Sequence, residues 1–252
     1  MTSAPYRILA PAKLTLSLRV TGVRADGYHL IDAVMTTLDL HDELHITEGK
    51  PGLEFIGPYA SGITADANNL VARALSLVDR TAHVVVTKNI PHGGGLGGGS
   101  ADAAAIFRWA QRTSPADVVA SAAIGADVPF CVVGGQARVS GIGEVIEPMP
   151  VERRNIILII PPLHVSTPLV YKAWDALGHP RAVGPNDLEP AALLVEPQLE
   201  LWRDRIIEAT GRTPTLAGSG ATWFITDVAT SVSQGLREAL PEAQVVETST
   251  GQ

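Results

Sequence analysis

Six glycines fall within seven consecutive positions of this chain, from Gly93 to Gly99. An apolar stretch typical of a strand precedes the run, and Ser100 and an alanine-rich stretch typical of a helix follow it. Because glycine permits positive φ and close backbone approach, the amides of such a loop can converge on an anion at a helix N-terminus, where the dipole also favours negative charge. The run therefore predicts a phosphate-binding loop. A flexible linker is disfavoured, because serine, threonine and charged residues usually flank linkers.

Three classes of phosphate-binding loop compete for this segment. Residues 93–98 satisfy the G-x-G-x-x-G pattern of dinucleotide-binding folds, but the acid at suitable spacing, Asp117, lies at a turn and helix start instead of a strand end. A Walker A loop would span Gly94 to Gly99, yet Ser100 stands where its lysine must be. The third class is that of small-molecule kinases whose glycine loop precedes a serine and a helix and needs no lysine.

The organisation of the chain favours two domains. Its 252 residues suffice for one large or two small domains, and 46% hydrophobic with 18% charged residues is the composition of a folded protein. Strands dominate the first half, with few regular β-α-β units, which favours an α+β fold over a doubly wound sheet. Two prolines and a charged run separate this half from a new apolar strand at 156–160. We therefore predict α+β domains at residues 1–152 and 153–252.

Periodicity predicts the individual elements. The segment 12–20 alternates polar and apolar residues, which predicts a strand with Leu14, Leu16, Leu18 and Val20 on one face and Lys13 on the other. The alanine-rich segment 101–124 predicts two helices separated by a Ser-Pro break. Further strands are predicted at 30–40, 43–47, 83–87, 223–226 and 244–247, and further helices at 69–79, 169–177, 197–209 and 228–240.

Charge and cysteine content limit the possible partners. The net charge of −7 argues against a nucleic-acid partner, because such binding needs clustered Lys and Arg, but it permits a small anionic substrate. The longest apolar stretch is too short to span a bilayer, and Pro11 and Lys13 interrupt the N-terminal apolar run, so we expect a cytoplasmic protein with no membrane partner. The single cysteine, Cys131, is predicted as a buried thiol. His41 and His45 lack a third ligand at suitable spacing, so a metal site there is rejected.

Four segments resemble the signature motifs of one kinase superfamily. They are Ala10-Pro11-Ala12-Lys13-Leu14, Arg24-Ala25-Asp26-Gly27-Tyr28-His29, the run from Ile90-Pro91 to Gly99-Ser100, and Gly125-Ala126-Asp127-Val128-Pro129. Asn186-Asp187-Leu188 and residues 216–221 extend the match to nearly the whole chain. The glycine run alone indicates the GHMP kinase superfamily. The second and fourth segments together resemble its branch that phosphorylates a cytidine-linked acceptor.

The resemblance implies a fold, a reaction and two catalytic residues. The fold is the two-domain GHMP kinase fold, with a ribosomal-protein-S5-domain-2-like N-terminal domain and a C-terminal ferredoxin-like α/β sandwich domain. The implied reaction uses ATP and Mg²⁺ to phosphorylate a small-molecule substrate, a methylerythritol that carries a cytidyl diphosphate group, at its 2-hydroxyl. This reaction belongs to non-mevalonate isoprenoid biosynthesis. Asp127 is expected to accept the hydroxyl proton, and Lys13 to orient that hydroxyl and neutralise developing charge.

The resemblance also assigns residues to two binding sites. For ATP it implies Asn69, Lys88, Ile90, Pro91, His92, Gly93, Gly94, Gly95, Leu96, Gly97, Gly98, Gly99, Ser100 and Ala101, with Ser100 also a magnesium contact. For the acceptor it implies Thr15, Tyr28, His29, Tyr171, Gly218, Ser219 and Gly220. Tyr28 and His29 would clamp the cytosine, with Tyr171 as the second aromatic face. Three residues depart from the family pattern: Thr15 replaces a common Asn, Ala101 a frequent Ser, and His92 a common apolar residue.

Other interpretations make different predictions. From the residues alone, Ser100 is the N-cap of the following helix, with Asp102 in its first turn, and Asp127 is a turn or helix-cap aspartate. Another kinase of the superfamily, acting on mevalonate or homoserine, would not require a cytidine group. A nucleotide-binding regulator without catalysis is disfavoured because Lys13 and Asp127 are both present, and an oxidoreductase would bind NAD.

Overall fold

The structure is a computed structural model that describes residues 5–91, 93–227, 229 and 231–251. It is a mixed α+β fold with two sheets. The first sheet is built from β1 (Tyr6–Val23), β2 (His29–Glu48), β3 (Gly52–Ile56), β4 (Ala82–Thr87), β5 (Gln136–Gly141) and β6 (Val145–Met149). Its order is β3-β4-β2-β5-β6, with β1 also paired to β2; β3 and β4 are parallel and the other pairs antiparallel.

Four helices pack against or beside the first sheet: α1 (Leu70–Leu77), α2 (Gly98–Trp109), α3 (Pro115–Ser121) and α4 (Val128–Val133). Helix α2 is the central one, since it contacts β1, α1 and α4 and is buried at every residue from Ala101 to Phe107. Four small alanines in this stretch let neighbouring elements approach it closely. Burial on all sides fixes the N-terminus of α2, where the glycine run ends.

The second sheet is smaller and entirely antiparallel, with the order β10-β7-β9-β8. Its strands are β7 (Asn155–Ile160), β8 (Thr215–Leu216), β9 (Trp223–Thr226) and β10 (Gln244–Ser249). Its helices are α5 (Thr167–Ala176), α6 (Glu189–Val195), α7 (Gln198–Thr210) and α8 (Ser231–Ala239). The two sheets separate between Met149 and Asn155, and the boundary expected after residue 152 falls in that connection.

Within the described residues, backbone hydrogen bonds join the halves of the chain at two places. At the first, the amide of Leu18 donates to Pro185 O and the amide of Asp187 donates to Leu18 O, both at 2.9 Å. The buried carboxylate of Asp187 also accepts from the Val20 amide and from Arg19. Burial opposes the charge of Asp187, but these donors hold its pKa below the usual range.

At the second attachment, Leu38 of β2 forms a β-bridge with Thr250. Beside it, Asp39 accepts from the amide of Ser249 at 2.8 Å and from the Ser249 hydroxyl at 2.9 Å. Strand β10 of the second sheet is therefore tied directly to β2 of the first.

The predicted face of β1 is wrong for two of its residues. Pairing with β2 runs Thr15 to Met35, Ser17 to Val34 and Leu18 to Ala33, so Leu16 is an extra residue in a β-bulge. Because cross-strand partners share a face, the bulge moves Leu18 to the face of Thr15 and Lys13. The apolar residues alternate regularly along the sequence, but at the bulge the side chains change from one face of the sheet to the other. The alternation alone does not reveal this change.

Other differences arise at polar or short elements. Two strands were predicted at 30–40 and 43–47, but β2 is continuous. The polar residue Asp42 between them is buried, and its carboxylate accepts hydrogen bonds from the backbone amides of Asn89 and Ile90. Strands β3, β5, β6 and β8 and helices α4 and α6 were not predicted. The break after α2 is confirmed, since Ser114 and Asp117 form the capping box that starts α3.

The expected burial of Cys131 is confirmed. The thiol lies in the core, and burial, followed by the negative charge of Asp127, raises its pKa to about 12. A thiol with this pKa is inert at neutral pH. No helix among the residues that the structure describes combines the length and apolar character needed to cross a bilayer.

Candidate active site

Two cavities lie side by side and share Gly95 and Ser100 in their walls. The first has a volume of about 350 Å³ and lies along the glycine run. The second has a volume of about 250 Å³ and is bounded by both halves of the chain, since Lys13 and Asp127 face Tyr171 and Ser219 across it. A group bound in one cavity therefore adjoins a group bound in the other at the glycine run.

The first cavity combines an apolar wall with a floor of glycine backbone. Phe55, Ile63 and Leu70 supply the apolar side chains that a flat aromatic base requires. Of the residues expected to contact ATP, the lining includes Asn69, Lys88, Ile90, Pro91, Gly93, Gly95, Leu96, Gly97, Gly98, Gly99 and Ser100. Asn69 also caps α1, because its side-chain oxygen accepts from the Val71 amide at 2.9 Å.

Three residues expected at this site are placed elsewhere or not described. Ala101 is fully buried in the core and does not line the cavity, because the helix turns its Cβ inward. Gly94 faces the second half of the chain, where a Cβ would lie 2.5 Å from Thr222 Oγ1. His92 lies outside the described residues.

The glycine run adopts the conformations that only glycine takes readily. Gly93, Gly95 and Gly97 have φ values of 80°, 75° and 68°. Gly97 is the N-cap of α2, so the expected cap role of Ser100 is wrong: Ser100 lies within the first turn. The left-handed Gly97 ends the loop and leaves the first amides of α2 at the cavity wall, where an anion is favoured.

Gly95 is also packed against the second half of the chain. A Cβ on Gly95 would lie 2.9 Å from Ala217 O and 3.1 Å from Gly220 O, which is too close for any side chain. The segment from Gly218 to Gly220 thus forms a second glycine turn, which packs against the glycine run. Asn186 holds this turn, because its buried amide donates to Leu216 O at 2.9 Å and to Gly218 O at 2.7 Å.

Lys88 lies in a buried ion cluster at the edge of the first cavity. Its ammonium contacts Asp42 and lies 2.5 Å from Asp102 Oδ2. Burial opposes the charge of Lys88, but the two carboxylates together raise its pKa. Burial also raises the pKa of Asp102 to about 7, in spite of the lysine charge. The cluster joins β2, the end of β4 and the first turns of α2, and so fixes the position of the glycine run.

The second cavity contains the two expected catalytic residues in direct contact. Lys13 Nζ lies 3.1 Å from Asp127 Oδ2, and the exposed fractions of their side chains are 7% and 33%. Asp127 occupies the N-cap position of α4, as the helix-cap interpretation expected, but its side chain forms no cap hydrogen bond and contacts Lys13 instead. Lys13 Nζ also donates to Thr15 Oγ1 at 3.3 Å. The geometry leaves a carboxylate, oriented by an ammonium, facing the cavity.

Lys13 is fixed by the glycine run itself. Its amide donates to Leu96 O at 3.0 Å, and a Cβ on Gly97 would lie 2.7 Å from Lys13 Cγ. The lysine stem therefore packs directly on the loop that would hold the phosphates. The ammonium at the end of this stem lines the second cavity, next to the glycine run.

Aromatic residues form one end of the second cavity. The rings of His29 and Tyr171 lie 4.6 Å apart with an interplanar angle of 30°, and both residues line the cavity. Burial, and then the charge of Asp127, raises the pKa of Tyr171 to about 12, so its phenol is neutral. Tyr28 is placed differently: it is 58% exposed, and the Arg24 guanidinium lies 5.4 Å from the centre of its ring.

Several site residues were not assigned their observed contacts from the sequence. Asp42, Asp102 and Asn186 form the buried contacts described above, and Thr167 Oγ1 lies 2.7 Å from Ser219 Oγ. The signal for Asn186 was present, since it belongs to a matched motif. Asp42 carried no signal, because a polar residue in an apolar segment predicts a break in the strand.

Comparisons with known proteins identify relatives over most of the chain. Residues 68–135 match the family model for the GHMP kinases N terminal domain. The chain is 38% identical over 237 residues to the 4-diphosphocytidyl-2-C-methyl-D-erythritol kinase of Paracoccus denitrificans, covering 86% of this chain and 85% of the relative. The enzyme of the same name from Paramagnetospirillum magneticum is 37% identical over 256 residues, covering 89% of each.

Comparison with solved structures identifies the same enzyme as a relative. A crystal structure of 4-(cytidine 5'-diphospho)-2C-methyl-D-erythritol kinase matches with a TM-score of 0.77 and 32% identity, covering 98% of this chain and 100% of that chain. Mevalonate kinase of L. major, solved in complex with R-mevalonate, matches with a TM-score of 0.66 at 15% identity, covering 99% of this chain and 98% of that one. The second match shows a shared fold alone.

Proposed function

Since this chain belongs to the 4-diphosphocytidyl-2-C-methyl-D-erythritol kinases of the GHMP kinase superfamily, we propose that it transfers the γ-phosphoryl group of ATP to the 2-hydroxyl of 4-diphosphocytidyl-2-C-methyl-D-erythritol. The observation that carries the proposal is the pair of cavities that meet at Gly95 and Ser100. ATP would occupy the glycine-lined cavity, with its phosphates at the N-terminus of α2. The acceptor would occupy the cavity that holds Lys13 and Asp127.

Asp127 would act as the base. Its carboxylate accepts the proton of the acceptor hydroxyl, the hydroxyl oxygen bonds to the γ-phosphorus, and the bond from that phosphorus to the bridging oxygen of ADP breaks. Proton acceptance at the right distance commonly contributes 10²-fold to 10⁴-fold to a rate. Lys13, in contact with Asp127 Oδ2, would orient the carboxylate and stabilise charge on the passing phosphoryl oxygens.

Magnesium would be held mainly by the nucleotide. Among the residues that the structure describes, no group of three His, Cys, Asp or Glu side chains is arranged to hold a metal. Mg²⁺ is commonly bound by one or two protein oxygens together with substrate phosphates, so a single hydroxyl such as Ser100 at the shared wall fits this mode. When bound, the ion neutralises phosphate charge.

The test is an assay of ADP release. The expected result is ADP formation that requires both ATP and the cytidyl acceptor, with no ADP released from ATP when mevalonate or homoserine replaces that acceptor. The cytidine group takes no part in the bond changes, so a requirement for it would show that the enzyme recognises it. Equal phosphorylation of an acceptor that lacks cytidine would contradict the proposed substrate. NAD binding in a fluorescence titration, without ADP release, would contradict the kinase proposal altogether.

Lys13→Met should lower turnover by about 10²-fold to 10³-fold, the cost of losing one group that stabilises transition-state charge. Methionine keeps a long unbranched stem, so the packing on Gly97 is retained while the ammonium is lost. Steady-state kinetics with ATP and the cytidyl acceptor measure the effect. Lys50→Met, at an exposed turn, is the matched control. Loss of ATP affinity with normal turnover would instead assign Lys13 to the nucleotide.

Tyr28→Ala should weaken binding of the cytidyl acceptor by roughly 5-fold to 150-fold, because stacking of a base on an aromatic ring contributes about 1–3 kcal/mol. The exposed ring of Tyr28 would cover the cytosine from the side opposite Tyr171. The measurement is the acceptor KM, with the KM for ATP as internal reference. Tyr6→Ala removes another exposed tyrosine, near Trp109, and should change neither. Equal acceptor KM values in both variants would remove Tyr28 from the clamp.

A further inference from the structure

His29 is held in one orientation by three residues of α5. Its Nε2 lies 2.9 Å from Asp175 Oδ1, its ring lies 4.6 Å from that of Tyr171, and the edge of Trp174 meets it at 5.8 Å and 83°. The side chain of His29 is 11% exposed, and the residue lines the acceptor cavity. A ring that packs on two others and pairs at one nitrogen has little freedom to turn over.

Asp175 is itself placed by the residues that follow α5. His179 stacks on Trp174 with ring centres 4.5 Å apart, and its Nε2 lies 3.4 Å from Asp175 Oδ1. Trp174 Nε1 donates to Pro180 O at 3.1 Å, which fixes the indole between the two histidines. The carboxylate thus sits in a built frame of side chains, with His29 as its nearer partner.

The pairing determines which nitrogen of His29 carries hydrogen. An ionised carboxylate can only accept hydrogen bonds, so Nε2 must donate to Asp175, and in the neutral ring Nδ1 is then a bare acceptor. Cytosine presents an N4 amino donor where uracil, like thymine, presents an O4 acceptor. Nδ1 of His29 can therefore accept a hydrogen bond from the N4 amino group of cytosine. With uracil, the O4 oxygen would face the lone pair of Nδ1, and neither atom could donate.

We propose that Asp175 is a positioning residue that fixes the tautomer of His29 and thereby makes the acceptor site select cytosine over uracil. This inference rests on the proposed function, because it assumes that the nucleobase of the acceptor lies against His29. It assigns to Asp175 no contact with the reacting atoms, which lie at the Lys13 and Asp127 end of the cavity.

The kinetic test uses Asp175→Asn in the full chain. The amide keeps the shape of the carboxylate but can donate to Nε2, which permits the tautomer with hydrogen on Nδ1. The ratio of kcat/KM for cytidyl over uridyl acceptor should fall by about 10-fold, the size of one lost hydrogen bond, with the change in the KM for the acceptor and not in the KM for ATP. Asp175→Glu should restore part of the ratio.

Asp204→Asn is the matched control, because it removes an equal charge from α7, where the exposed Asp204 pairs with Arg203. It should leave the ratio unchanged. A structural role for Asp175 would lower kcat/KM for both acceptors equally, and that result would overturn the proposal.

A second measurement reads the tautomer directly. In ¹⁵N-histidine-labelled protein, the His29 signals should report hydrogen on Nε2 in the parent and a population with hydrogen on Nδ1 in Asp175→Asn. Hydrogen on Nδ1 in the parent, or an unchanged tautomer in the variant, would overturn the proposal. If the parent uses neither acceptor, the proposed function fails, and the ¹⁵N signals still decide whether Asp175 fixes the His29 tautomer.

Discussion

Asp127→Asn should lower turnover by 10²-fold or more and leave ATP affinity almost unchanged. Asparagine keeps the shape of the carboxyl group and can still contact Lys13, but it cannot accept the hydroxyl proton, whose transfer commonly accounts for about 10²-fold to 10⁴-fold of a rate. Asp127 lines the second cavity and is not among the residues that line the glycine-lined cavity proposed for ATP. Single-turnover kinetics measure the chemical step, and calorimetry measures ATP affinity.

Asp79→Asn is the matched control for this variant. Asp79 is exposed and has a φ of 52°, a conformation that asparagine also adopts, so the change should affect neither rate nor stability. Near-normal turnover of Asp127→Asn would remove Asp127 from the chemistry. A large loss of ATP affinity alone would move its role to the nucleotide.

Gly95→Ala should impair both substrates together. A Cβ there would lie 2.9 Å from Ala217 O and 3.1 Å from Gly220 O, and the φ of 75° adds a cost of about 1–2 kcal/mol. The glycine run and the second glycine turn must separate, which displaces the phosphates and the acceptor relative to each other. Because misplacement by about 1 Å can cost 10²-fold in rate, we expect kcat/KM to fall by about 10²-fold or more. Gly95→Val should have a still larger effect.

Gly211→Ala separates this steric effect from backbone strain. Gly211 has a φ of 66° at the end of α7, and a Cβ there meets nothing within 4 Å. The control should lose only the stability that backbone strain costs, as measured by thermal unfolding, and should keep its kinetics. If Gly95→Ala folds and binds ATP as the parent does, the phosphates lie away from this loop.

Local motifs were sufficient to predict the family, and they singled out residues that the structure places at the two cavities. The resemblance to GHMP kinases is confirmed by the comparisons, and the glycine run lies beside a cavity as its composition indicated. Both follow from short segments in which residue type and spacing carry the chemistry. Whether Lys13 and Asp127 perform their assigned roles stays a prediction, although the structure brings them within 3.1 Å.

Contacts between distant segments could not be predicted in this way. Lys88 pairs with Asp42, which is 46 residues away in sequence, and only the pairing of β2 with β4 brings them together. Asp102 looked like a favourable charge near a helix start, but it is buried in the same cluster. The bulge at Leu16 left no trace in the apolar pattern, because leucine occupies the extra position.

The two attachments between the halves of the chain restrict how the enzyme can move. One lies where Leu18 exchanges backbone hydrogen bonds with residues 185–187, and the other where Leu38 bridges to Thr250. Two rigid bodies joined at two separated points could still rotate about the line that connects the points, but the contacts of His29 with α5 and of Gly95 with Ala217 and Gly220 oppose that rotation as well. Free twisting or sliding of one half over the other would break backbone hydrogen bonds. A substrate that enters with all of these contacts intact would therefore depend on the movement of individual loops.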